Sequence, residues 1–175
     1  MTTIESRSVH SRVEFRTGSS GKTTVAGYAA VFGEEADIGG YFREVIAKGA
    51  FANSVRTADV RAYFDHDTGR VLGRRSAGTL RLNEDAKGLA VEIDLPDTTD
   101  GRDVKTLIER GDVSGMSFGF MVTKQEWDET GDVPLRTVLE AELYEVSIVS
   151  IPAYDGTSIA LQRSDHREKE FDHVG

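Results

Sequence analysis

Only one stretch of this chain has the periodicity of a helix that packs on a core. Val104, Leu107 and Ile108 recur at i, i+3 and i+4, with Gly111 after them and Thr98-Thr99-Asp100 before them. Thr99 or Asp100 is the expected cap, and Gly111 the expected stop. Nearly all the remaining apolar residues fall in short runs between turn residues, which is the pattern of strands. Strands are expected over residues 23–32, 41–46, 60–66, 79–83, 88–95, 116–127 and 135–150, with a weaker one at 11–15 and an extended piece from Val71. One or two helical turns are expected over residues 48–55. Glu84-Asp85-Ala86-Lys87 joins two of the strands as a hairpin loop. Many strands and few helices predict a mainly β, β-rich α+β fold: an antiparallel barrel with helices on its outside.

The totals narrow the function. The chain has 175 residues, enough to bury a core, and suggests one folded unit with polar ends. Residues 1–22 read as a flexible arm and 162–175 as a disordered charged tail. A net charge of −9 argues against nucleic acid as a partner, because binding the phosphate backbone needs a basic surface. The absence of cysteine removes disulfides, thiolate nucleophiles and cysteine-bound metals. No apolar run is long enough for a membrane span or a signal peptide.

Three residues could carry chemistry. Ser117 sits in Gly115-Met-Ser-Phe-Gly-Phe, where glycines interrupt a strand pattern and mark a close approach. Glu145 lies in phase with Leu139, Ala141, Leu143, Ser147 and Val149, so a carboxylate falls on an apolar face and needs a partner. His66 follows Ala62 and Phe64 in phase, with Arg61, Tyr63 and Asp65 on the other side. An imidazole next to a carboxylate and a serine is the set that acyl transfer uses. Each residue also has an ordinary reading: a hydrogen-bonded histidine, a small strand residue, and a glutamate paired with an arginine. The match to Gly-x-Ser-x-Gly does not signal an α/β-hydrolase elbow, since here the serine follows a helix and opens a strand. Gly18-Ser-Ser-Gly-Lys-Thr lacks the spacing of a phosphate loop. Asp65-His66-Asp67 has no second histidine at a metal-ligand spacing.

The order of these pieces resembles the prohead maturation proteases of tailed bacteriophages. The pieces are Gly27-Tyr-Ala-Ala-Val-Phe, Phe51 after Lys-Gly-Ala, Phe64-Asp-His-Asp with Val71-Leu-Gly-Arg, Gly115-Met-Ser-Phe-Gly-Phe, and Glu145-Val-Ser-Ile-Val-Ser-Ile-Pro-Ala-Tyr. The resemblance runs from about residue 22 to 161, which makes residues 23–161 the expected protease domain. It implies a serine endopeptidase with a fold similar to herpesvirus assemblin, and a triad of His66, Ser117 and Glu145 that uses no metal or cofactor. Asp65 is the alternative acid. The implied substrates are the scaffold, or the scaffold-like segment of the major capsid protein, and the enzyme itself. The implied place is inside the procapsid, in the host cytoplasm, and a homodimer is expected by analogy with assemblin. Assemblin's arginine pair after its third triad residue has no counterpart in Ile151-Pro-Ala-Tyr-Asp-Gly. Backbone amides near residues 152–156, or Arg74 and Arg75, are the candidate oxyanion donors. The alternative function is a catalytically inactive, scaffold-like component of the procapsid.

Overall fold

The longest ladder joins strands β10 (Gly115–Asp128) and β11 (Leu135–Val149), antiparallel, through a turn in which the Asp128 carboxylate accepts from the Thr130 amide and hydroxyl. The computed structural model describes residues 3–9, 13–17 and 22–150. The other elements, in chain order, are β1 (Glu5–Val9), β2 (Glu14–Thr17), β3 (Thr23–Val31), β4 (Ala36–Ile38), β5 (Phe42–Ile46), α1 (Ala52–Thr57), β6 (Arg61–Phe64), β7 (Asp67–Arg74), β8 (Leu80–Glu84), β9 (Gly88–Asp94) and α2 (Thr99–Arg110). The fold is mainly β, as expected. Among the described residues the strands form two sheets, one of seven strands and one of four in the order β2-β3-β9-β8. The larger sheet is mixed rather than purely antiparallel, because β5 and β6 both run parallel to β11.

Those two strands share one edge of β11. β5 takes Leu135–Val138 and β6 takes Glu145–Ile148. The α1 segment bridges the gap between them. The Ala141 amide donates to the Ala50 carbonyl, and the Leu143 amide donates to the Ser54 hydroxyl. Buried backbone donors need partners, and here a short helix supplies them where no strand reaches. Phe51, which leads into α1, meets Phe118 edge-on at 5.4 Å, and Phe118 stacks on Phe120 at 4.9 Å. All three are at most 1% exposed. Met116, Phe118 and Phe120 therefore anchor one face of β10 in the core, and the intervening Ser117 and Gly119 belong to the other. Each buried phenylalanine stabilises the fold by about 2 to 3 kcal/mol.

The cap of helix α2 is Thr98, one residue before the first of the two expected caps, Thr99 and Asp100. The Thr98 hydroxyl accepts from the Gly101 amide, and Gly111 closes the helix at φ 83°. The face of β11 also differs from expectation. Arg136 and Val138 are buried, then Ala141 and Leu143, with Leu139 only half-buried. Register shifts opposite Val122–Gln125 move the inward phase by one residue.

Part of the expected arm, residues 1–22, is in the sheets. β1 pairs with β10 and β2 with β3. Besides its ladder with β10, β1 is tied in by charge. Arg7, 6% exposed, donates to both oxygens of Glu44 at 2.9 and 3.1 Å. Arg136, directly beside Glu44 in the β11–β5 register, donates to Glu44 and to both oxygens of Glu5. Burial alone would raise the Glu5 carboxyl, but Arg136 and Arg7 outweigh it and hold the group below its ordinary range. The expected tail lies outside the described residues.

Candidate active site

β6 ends at Phe64, and β7 begins at Asp67 as its antiparallel partner. The two residues between them, Asp65 and His66, both have left-handed backbones, at φ 54° and 61°. Two consecutive positive φ values are the geometry of the tight hairpin turn usually built from Asn-Gly. Aspartate and histidine tolerate this region better than most side chains, at a cost of order 1 kcal/mol each. His66 is therefore not on a strand face. The phase argument that grouped it with Ala62 and Phe64, and set Asp65 opposite, does not apply at a turn.

The turn delivers the imidazole to β11. His66 Nδ1 donates to Glu145 Oε1 at 2.5 Å. The side chains are 19% and 16% exposed, so the pair is partly desolvated but open to solvent. A carboxylate at Nδ1 favours the tautomer whose neutral ring carries its lone pair on Nε2, the form a general base needs. The other carboxylate oxygen is also held: Ser147 donates to Glu145 Oε2 at 2.6 Å and accepts from the His66 amide at 3.2 Å. Gly119, opposite Glu145 on β10, leaves the room. A Cβ there would lie 2.9 Å from Oε1. The strand-interior glycine thus marks a close approach, of a carboxylate from the neighbouring strand.

Asp65 does not take this role. Its amide donates to the Ile148 carbonyl, and its buried Oδ1 has no hydrogen-bond partner among the described residues. Ser117 is fully buried and lies directly across from Ser147 in the ladder. Its hydroxyl donates to the Arg7 carbonyl of β1 at 2.9 Å. The structure thus joins His66 to Glu145, and puts Ser117 on the adjoining strand with its proton engaged elsewhere.

The profile of the caudovirus prohead serine protease family matches residues 10–171. The chain belongs to that family. It is 32% identical over 152 residues to the prohead protease of Enterobacteria phage HK97, covering 85% of this chain and 64% of that protein. It is 33% identical over 101 residues to the prohead protease of Escherichia phage T5, covering 58% of this chain and 45% of that protein. The chain therefore spans less than two thirds of the length of either relative. Its fold is similar to that of the bacteriophage T4 capsid assembly protease, with a TM-score of 0.61 at 12% identity over 85% of this chain and 98% of that one.

The two arginines weighed as oxyanion donors, Arg74 and Arg75, are bonded elsewhere. Arg74 donates twice to Asp59, at 2.9 and 2.6 Å, and with the Ser76 amide pulls that carboxyl down to about 2. Arg75 donates to the carbonyls of Ala58 and Arg56. Both fasten the segment between α1 and β6. The other candidate donors, residues 152–156, lie outside the described residues. No described helix is long and apolar enough to cross a membrane. Sequence reasoning did not single out Ser147 and Gly119 as parts of the site. Ser147 was legible as the i+2 neighbour of Glu145 on one strand face, and Gly119 as a glycine in the strand beside it.

Proposed function

We propose that this chain is a serine endopeptidase of procapsid maturation. Ser117 is the nucleophile, His66 the general base and Glu145 the acid that orients it. The substrates are the scaffold, or the scaffold-like segment of the major capsid protein, together with the enzyme's own termini. One observation carries the reading: a buried-side carboxylate bonded to an imidazole at 2.5 Å, one strand away from the serine, in a member of this family. His66 Nε2 takes the Ser117 proton as Oγ attacks the peptide carbonyl. The same proton then goes to the departing amine as the C–N bond breaks. Water, deprotonated by His66, attacks the ester carbonyl. The C–Oγ bond then breaks, releasing the acid and restoring Ser117. Before the first step, Ser117 must release the Arg7 carbonyl, by turning to another χ1 rotamer or by movement of β1.

That last requirement is also what favours a second reading. A serine that is fully buried and bonded to a backbone carbonyl is what a non-enzymatic, scaffold-like component of the procapsid would retain. Co-expressing wild type or Ser117→Ala with the major capsid protein separates the two. Shortened capsid protein with wild type alone supports the protease. Cleavage by both removes Ser117 from the mechanism, and cleavage by neither favours the structural role. Mass-spectrometric mapping of the purified chain's termini tests self-cleavage. Intact ends in a preparation that cuts capsid protein would refute that part.

A further inference from the structure

We propose that Ser147 is a positioning residue that locks the His66–Glu145 pair; this rests on the reading of His66 and Glu145 given above. A carboxylate bonded to an imidazole through one oxygen can still rotate about its terminal torsion, which is a broad, soft coordinate. Here that rotation is stopped. Ser147, fully buried on β11, donates to Glu145 Oε2 at 2.6 Å. The same hydroxyl oxygen accepts the His66 amide at 3.2 Å. His66 is thus tied to one carboxylate twice: directly by its ring, and by its backbone through Ser147. The second tie acts on a residue at φ 61°, a conformation that the surroundings must hold in place.

Serine is the side chain that fits this position. It must donate one proton and accept another within the span of a short side chain, and a hydroxyl does both. Alanine would leave Oε2 and the His66 amide each short of a partner. Cysteine keeps the volume but bonds weakly. Ser147 is not a rival nucleophile in this arrangement, since its proton is given to Glu145 and its oxygen lies on the Nδ1 side of the site.

Two measurements on the full chain test this without a known substrate. The first is the proton NMR resonance of the His66 ring N–H, identified by its loss in His66→Ala and in Glu145→Gln. The second is the rate at which a small fluorophosphonate labels Ser117. In Ser147→Ala and Ser147→Cys the ring resonance is expected to move upfield and exchange faster with water, and labelling to slow about tenfold. Ser147→Thr, which keeps the hydroxyl, is expected to restore both. Thermal melting of each variant identifies any that fails to fold; the cysteine variant, which conserves volume, then carries the test. An unchanged resonance and labelling rate in a folded Ser147→Cys protein would overturn the proposal. So would equal losses in the cysteine and threonine variants. If wild type resists labelling at Ser117 but its resonance still responds to Ser147→Cys and recovers in Ser147→Thr, the lock stands and the protease reading fails.

Discussion

Two polar clusters sit on the same strand, β11, and they are built in opposite ways. Around Arg136, two arginines and two glutamates neutralise one another, with Arg7 and Glu44 almost fully enclosed. Around Glu145 there is a carboxylate that, among the described residues, is bonded to no arginine and is held by an imidazole and a hydroxyl. The ordinary reading of a glutamate on an apolar face is an arginine pair, and Glu44 fulfils it. Glu145 does not. A guanidinium is permanently charged and can only neutralise, whereas an imidazole can give up and take a proton at neutral pH. The first cluster ties β1 to β5 and β11, and the second is the pair to which the proposal assigns proton transfer.

The contrast predicts where each cluster breaks. Glu145→Gln is expected to lower cleavage of capsid protein by roughly 10³- to 10⁴-fold while leaving the melting temperature nearly unchanged, because the histidine loses its orienting charge. Timed digests beside thermal melts check both halves. Glu44→Ala should do the reverse in kind. It leaves two buried arginines to share the single carboxylate of Glu5, which destabilises by about 3 to 5 kcal/mol in denaturant titration. Gly119→Ala tests whether the site depends on room for the carboxylate. The added methyl crowds Glu145 Oε1, and cleavage should fall by roughly 10- to 100-fold, an effect measured as kcat with KM little changed.

The smallest effect concerns an arginine pair in the other sheet. Asp94 is held below the ordinary carboxylate range chiefly by Arg81, which donates to both its oxygens, with Thr24 as a further donor. A carboxyl whose folded pKa is depressed contributes its full stability above its unfolded value, near 4, and loses it as pH falls further. Asp94→Asn should therefore melt below wild type at pH 7, and the gap should close on acidification toward the depressed value. A gap that widens in acid would contradict the assignment.

How far the sequence revealed these features depends on how local their causes are. Helix α2 was legible because its cap, apolar stripe and closing glycine are neighbours in the chain, although the cap is Thr98. The pairing of His66 with Glu145 was expected, but from a strand phase that the left-handed Asp65-His66 turn does not obey. β1 was hidden by its polarity. Glu5-Ser-Arg-Ser-Val looks like a solvated arm until Glu44 pairs with Arg7 and Arg136 pairs with Glu5, and both partners are distant in sequence. The Ser117 hydroxyl bond was hidden for the same reason, since its acceptor is a backbone carbonyl on that strand. The inward phase of β11 shifts at an irregularity that alternation alone does not reveal.

The central claim is that Ser117 is the nucleophile and His66 its base. The most direct measurement is to treat a preparation that cleaves capsid protein with a fluorophosphonate and to map the adduct by peptide mass spectrometry. One adduct is expected, on Ser117, and His66→Ala is expected to abolish it. An adduct on another serine, or labelling of Ser117 that persists at full rate without His66, would contradict it.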